Sequence, residues 1–239
     1  MSTGDSSSSD SDRMKLAINC GKLAKQVRGS YCVGAALYRR VYPAVQTTGD
    51  NFVFLRTTQL IFRRAPCVDF SYAGSKFSLH LVSTGYSREL EGNTHAEECA
   101  LIKLAALCEE AKSKDVDRWS LVGSSPSGYS PRAELLSELD PLSACGCRRG
   151  SGNEDVSSPG ACDHKDEAAA GRAVETSLAK ETKDELEMYT TMEPCSLRLS
   201  GKLSCTQRLI RVGIRRVIIG CLEPDLFVKC TGLGDLRKA

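Results

Sequence analysis

His95-Ala96-Glu97 and, a hundred residues further on, Pro194-Cys195 followed by Cys205 supply one imidazole, two thiols and one carboxylate. Zinc accepts soft sulfur and borderline nitrogen donors in a tetrahedron, and a catalytic zinc keeps three protein ligands and leaves the fourth position to water. His95, Cys195 and Cys205 fill that quota as metal ligands and leave Glu97 unligated. Zinc brings the pKa of its water down to about 7. The chemistry such a set suits is attack of water on an amidine-like ring carbon, with the amine expelled and Glu97 shuttling the proton.

H-x-E paired with P-C-x-x-C marks the zinc nucleobase deaminases, whose glutamate is an acid and base and not a ligand. The first half is present here and the second is altered: nine residues, Ser196 to Ser204, separate the two thiols where that pattern has two. The longer loop brings Arg198, Ser200 and Lys202 beside the metal, which suits a phosphorylated substrate better than a bare nucleoside. The plainer reading of the same residues is a solvated basic turn.

The same motifs read locally as structure. Thr94 with Glu97 three residues later forms a capping box in front of the apolar run Ala100, Leu101, Leu104, Ala105, Leu107 and Cys108. A helix N-terminus is also where a ligand and a proton shuttle can project into one pocket. Pro194-Cys195 alone reads as a small buried hydrophobe, and it is the order of all the parts that favours a metal site.

Around these motifs the chain predicts a first helix with Asp12 as N-cap and Gly29 as stop, then a strand over Cys32 to Tyr38 with an antiparallel partner over Phe77 to Gly85. A strand over Glu187 to Met192 delivers Pro194-Cys195, a helix runs from Leu203 to Val212, a strand from Arg215 to Cys221, and a last helix over Leu233 to Lys238. This alternation implies an α/β fold, a mixed sheet sandwiched between helices. Residues 1–11 read as a disordered tail and 12–239 as one domain carrying insertions at about 39–76 and 113–185. Within the second insertion, Cys145-Gly146-Cys147 and Cys162-Asp163-His164 offer donors for another metal, but the surrounding low-complexity sequence has nothing to orient them.

Composition narrows the partners. With 239 residues the chain is long enough for one well-buried domain, and a net charge of +2 points neither to nucleic acid nor to an anionic membrane. Twelve irregularly spaced cysteines, two of them in a metal motif, fit a reducing compartment better than a disulfide scaffold. No stretch is long and apolar enough for a membrane span, and Ser2 to Ser11 is no charged-then-apolar leader. The expected location is therefore cytoplasmic, the nucleus left open.

Gly85-Tyr86-Ser87-Arg88-Glu89-Leu90, Gly92-Asn93-Thr94-His95-Ala96-Glu97, Thr191-Met192-Glu193-Pro194-Cys195-Ser196, Ser200-Gly201-Lys202 and Glu223-Pro224-Asp225 together resemble the fungal-type riboflavin-pathway pyrimidine deaminases, within the cytidine deaminase-like superfamily. The resemblance covers about half the chain, and the long loop between the cysteines is its specific part. It implies a three-layer α/β/α sandwich with a mixed sheet and, since the family continues past the point corresponding to Ala239, a missing or shortened final edge strand. It implies Zn2+ held by His95, Cys195 and Cys205, Glu97 as the catalytic proton shuttle, Asn93 against the pyrimidine, and Arg198, Ser200 and Lys202 facing the sugar phosphate. The implied substrate is 2,5-diamino-6-(ribitylamino or ribosylamino)-4(3H)-pyrimidinone 5'-phosphate, deaminated to the 2,4-dione. The length leaves no room for a reductase domain, and a homodimer is left open. A tRNA or nucleoside deaminase and a non-catalytic zinc-binding partner subunit are the alternatives; the free carboxylate of Glu97 speaks against the second, because a structural site needs a fourth ligand.

Overall fold

The computed structural model describes residues 9–42, 77–122, 178, 186–198, 202–224 and 230–239. Most of both expected insertions, the Cys145–Cys147 and Cys162–His164 groups within the second, and Ser200 lie outside the described residues.

The elements run α1 (Asp10–Gly21), β1 (Gly34–Val41), β2 (Ser78–Tyr86), α2 (Ala96–Lys114), α3 (Arg118–Val122), β3 (Leu186–Met192), α4 (Cys205–Val212), β4 (Arg216–Cys221) and α5 (Gly232–Lys238). The strands form one sheet in the order β2-β1-β3-β4. β1 is antiparallel to β2 and to β3, and β3 is parallel to β4, so the sheet is mixed, as expected. Among the described residues no strand follows β4 in the sheet.

Side-chain alternation along the strands makes the layers. Ala35 and Leu37 of β1 and Leu186 and Met188 of β3 join Val82 against α2, together with Leu209 and Val212 of α4. Ala36, Tyr38 and Tyr189 point the other way and meet Ala17, Met14 and Leu16 of α1. Helix α2 is buried without a break from Ala96 to Cys108, so it is a central helix and not an amphipathic cover. Fully buried leucines such as Leu104 and Leu107 each contribute about 1.5–3 kcal/mol over an exposed position.

Two glycines set the close approaches. A Cβ on Gly85 in β2 would lie 2.1 Å from the Ala96 carbonyl oxygen, and one on Gly34 in β1 would lie 2.0 Å from that of Ala17. Only a bare backbone lets the first turn of α2 and the body of α1 sit this close to the sheet.

Several boundaries differ from the sequence reading. Helix α1 starts at Asp10, inside the expected tail, because Ser9 caps it by accepting from the Asp12 N–H at 3.2 Å while the Asp12 carboxylate accepts from the Ser9 N–H at 3.1 Å. Asp12 is thus the third residue of a capping box and not the cap. The helix ends at Gly21, well short of Gly29, where the exposed Leu23 and Val27 no longer have a sheet to pack on. Strand β1 continues to Val41 and takes in Arg39 and Arg40, which the sequence assigned to the insertion. Both arginines have partners that no local pattern shows: Arg39 stacks over Trp119 at 4.2 Å, and Arg40 Nε donates to the buried Glu187 at 2.6 Å.

Ordered elements also continue past residue 113. α2 runs to Lys114, α3 follows, and Val122 and Leu178 belong to the α2-side core, with Trp119 and Leu121 packed against it. Trp119, the chain's one tryptophan, has the guanidinium groups of both Arg39 and Arg118 over its ring, the latter at 5.2 Å. The short apolar triplet of α3 was too brief to show periodicity.

Candidate metal centre and its pocket

The site forms where the start of α2, the end of β3 and the start of α4 converge. His95 is the N-cap of α2, and the Glu98 carboxylate accepts from its backbone N–H at 3.3 Å. The cap is therefore one residue later than Thr94, whose hydroxyl donates to the Leu90 carbonyl at 2.9 Å instead. Two consecutive glutamates make both registers plausible; the close approach at Gly85 fixes the helix start. This register leaves Glu97 free of any capping duty.

Cys195 follows β3, and Cys205 opens α4 behind its own capping box, with the Ser204 hydroxyl and Gln207 amide as its two halves. The Cys205 backbone N–H donates to Cys195 Sγ at 3.3 Å, and Thr206 binds the Cys195 and Pro194 carbonyls. A helix N-terminus favours the negative charge of a thiolate.

His95 Nδ1 lies 3.5 Å from Cys195 Sγ and 3.5 Å from Cys205 Sγ, and all three donor atoms fall within 4.8 Å of one another. A tetrahedral ion with bonds of about 2.3 Å to sulfur and about 2.05 Å to nitrogen separates those donors by about 3.5 Å. The donor set and its spacing therefore fit zinc, with His95, Cys195 and Cys205 as the residues that would hold it.

The charges at the site are poised unequally. The thiols act as a pair: hydrogen bonding with Cys205, joined by that with His95, holds Cys195 well below the usual thiol range, while the same contact and full burial push Cys205 up. Burial pulls the His95 imidazole down, but its hydrogen bond to Cys195 and the nearby negative groups outweigh this and raise it. Glu97 is only 3% exposed, and burial raises its pKa above the usual carboxylate range. Its hydrogen-bond donor is the Thr190 hydroxyl at 2.8 Å, whose proton is also within reach of the Met192 carbonyl at 3.0 Å. Glu98, next in the chain, has the opposite fate: burial would raise it, but Arg208 and Arg198 together lower it.

A cavity of about 220 Å³ opens beside these groups, several times the ~30 Å³ share of one water; His95, Glu97, Cys195, Asn93 and Arg88 are in its wall. Asn93 is thus brought to the site. Arg198 is not in the cavity wall. It is 6% exposed, with Nη1 on Glu98 at 2.7 Å and Nη2 on the Asn93 carbonyl. Lys202 is half-buried on the loop between the thiols.

Sequence reasoning missed Thr190, Glu98 and Arg88. Thr190 sits two residues before Met192 on the strand that delivers Cys195, so strand alternation was a usable signal for it. Arg88 adopts φ 61°, a left-handed conformation rare for a non-glycine residue and often found at functional turns. Its guanidinium donates to the Ser30 hydroxyl and the Lys25 carbonyl.

Residues 132–221 match the cytidine and deoxycytidylate deaminase zinc-binding region. That stretch includes Cys195 and Cys205; His95 and Glu97 precede it and join it through the geometry above. The chain is similar to the diaminohydroxyphosphoribosylamino-pyrimidine deaminase of Schizosaccharomyces pombe, 32% identical over 162 residues, or 66% of this chain and 22% of the relative. It therefore spans about a fifth of the length of that curated relative. Among solved structures, the crystal structure of Aspergillus oryzae Rib2 deaminase in complex with DARIPP is 22% identical, with a TM-score of 0.42 over 95% of this chain and 78% of that one. The Thermotoga maritima diaminohydroxyphosphoribosylaminopyrimidine deaminase/5-amino-6-(5-phosphoribosylamino)uracil reductase is 15% identical, with a TM-score of 0.40 over 95% of this chain and 33% of that one.

Proposed function

We propose that the chain, whose residues 132–221 match the cytidine and deoxycytidylate deaminase zinc-binding region, hydrolytically deaminates 2,5-diamino-6-(ribitylamino or ribosylamino)-4(3H)-pyrimidinone 5'-phosphate in riboflavin biosynthesis. The observation that carries the reading is Glu97: a buried carboxylate that accepts from the Thr190 hydroxyl, beside three donors spaced for zinc. The name of the Schizosaccharomyces pombe relative supports the choice of substrate. A cytoplasmic location goes with this reading; among the described residues no helix is long and apolar enough to cross a membrane.

His95, Cys195 and Cys205 would hold zinc, which would supply a water acidic enough to react at neutral pH. Glu97, with a pKa raised by burial, would take a proton from the attacking water as C2 of the pyrimidine is hydrated and pass it to the adjacent ring nitrogen. It then carries the second proton to the amino group, so that the C2–N bond breaks and ammonia leaves. Thr190 aims the Glu97 carboxylate through these two transfers.

Asn93, in the cavity wall, is the proposed contact to the pyrimidine ring. Ser200 and Lys202 are kept as proposed phosphate contacts on the loop between the thiols. Arg198 is proposed with them, its guanidinium already engaged with Glu98; Arg88, a cation in the cavity wall, is the better placed of the two arginines.

The test is ammonia release from the ribitylamino and ribosylamino pyrimidine phosphates by zinc-loaded protein, with Glu97→Gln as control. Turnover that the variant abolishes supports the reading and chooses between the sugars. A zinc-loaded wild-type chain that releases ammonia from cytidine or adenosine alone points to a nucleoside deaminase; one inert to all four points to a non-catalytic zinc subunit.

A further inference from the structure

Each of the three metal donors is followed, three residues later, by a charged side chain: Glu98 after His95, Arg198 after Cys195, and Arg208 after Cys205. These three charges meet in one cluster. Arg198 Nη1 lies 2.7 Å from Glu98 Oε2 and Arg208 Nη2 lies 3.0 Å from Glu98 Oε1. The side chains of Glu98, Arg198 and Arg208 are 2%, 3% and 8% exposed. Arg198 adds a hydrogen bond to the Asn93 carbonyl, two residues before His95.

A two-residue gap between cysteines fixes both thiols through the turn itself. Here nine residues intervene, and a loop of that length leaves its ends many more relative placements. Something other than the loop's own geometry has to fix the second thiol against the first. The Cys205 and Thr206 hydrogen bonds to Pro194-Cys195 tie the two thiol segments to each other, and the convergence of Arg198 and Arg208 on Glu98 ties both to the His95 segment, three residues beyond each donor.

We propose that Glu98, Arg198 and Arg208 are positioning residues, a buried charge clamp that holds His95, Cys195 and Cys205 at metal-binding distance across the long loop. The inference rests on the zinc reading above. It gives Arg198 a duty other than phosphate recognition. Partners of ligands that lie outside the coordination sphere typically change metal affinity by 10- to 100-fold when removed, and an ion pair this deep is costly to break on one side only.

The experiment follows zinc release from the loaded full chain to an excess of a chromophoric chelator, below the melting point of every variant. Glu98→Gln and Arg198→Met are each expected to speed release by about 10- to 100-fold. The double variant should be no faster than the faster single, since both break the same clamp. Glu187→Gln, which breaks a comparably buried ion pair at the far end of β3, serves as control and should leave release unchanged. Unaltered release in both single variants overturns the proposal, as do effects that multiply in the double variant or a control that releases zinc as fast. A merely structural role would lower the melting temperature and leave release alone. A role in phosphate binding would raise KM for the Arg198 variant with no change in release. Should Glu98→Gln fail to fold, Arg198→Lys carries the same test, keeping the charge and losing the fork that Glu98 grips. A wild-type chain that takes up no zinc overturns the metal reading itself, an outcome distinct from failure of the clamp.

Discussion

Glu97 and Glu187 are both buried carboxylates, 3% and 0% exposed, one on α2 against Thr190 and the other near the start of β3, and their partners differ. Glu187 lies against two arginines, Arg40 at 2.6 Å and Arg216 at 3.5 Å. Glu97 has a hydroxyl for a partner and no ion pair among the described residues, so burial acts on it unopposed by a guanidinium and raises its pKa. One carboxylate is spent on holding the sheet together, while the other is kept able to gain and lose a proton. Glu98, one residue from the second, belongs with the first: its arginines lower its pKa in spite of burial. Burial alone therefore does not mark the chemical residue; the absence of a matched cation does.

That contrast can be broken by substitution. Glu97→Gln should lower kcat by about 10²- to 10⁴-fold while zinc content and melting temperature stay near wild type, read by ammonia release and metal analysis. An equal loss of zinc would show Glu97 to be a ligand. Glu187→Gln should do the reverse, costing about 3 kcal/mol in urea unfolding with kcat intact. That figure is the lower end for a broken buried pair, because Arg40 and Arg216 keep some water.

Finer changes sharpen the comparison. Thr190→Val removes the hydroxyl from Glu97 and should lower kcat about fivefold, the equivalent of roughly 1 kcal/mol for one hydrogen bond, with KM unmoved. The smallest expected effect sits at the Glu187 end, where Asp10 accepts from Arg216 Nη2 at 2.7 Å and from Tyr189 at 2.6 Å. The Arg216 bond, then that from Tyr189, holds Asp10 below its ordinary value of 3.8. Its contribution to stability is whole above that value and is lost as pH falls through the lower folded one. The gap in melting temperature between wild type and Asp10→Asn should therefore be open at pH 6 and close as pH falls below 3.8. A gap that widens in acid would reverse the sign of the argument.

How much of this was legible in the sequence depends on the range of the interaction. The four strands and their order along the chain could be read, because alternation and turn residues are local; the meeting of His95, Cys195 and Cys205 could be read because their types and spacing are chemically narrow. The exact cap was not legible, since Thr94 with Glu97 satisfies the capping-box rule by residue type while the structure starts the helix one residue later, at the contact of α2 with Gly85. Arg198 read as a phosphate contact or a solvated loop cation because its partner is a hundred residues away on another element. Arg39 and Arg40 looked like part of a basic insertion for the same reason. The end of α1 and the existence of α3 depended on whether a few apolar side chains found a sheet or helix to cover, which a window of residues does not record.

The placement of Trp119 gives this chain an optical gauge of its own. As the sole indole, with Arg39 of the first strand and Arg118 of α3 over its ring, it confines the tryptophan emission of the whole protein to one junction between sheet and helix layer. A shift in that emission during unfolding dates the parting of those two layers, and its persistence while zinc is stripped would show the metal end loosening by itself.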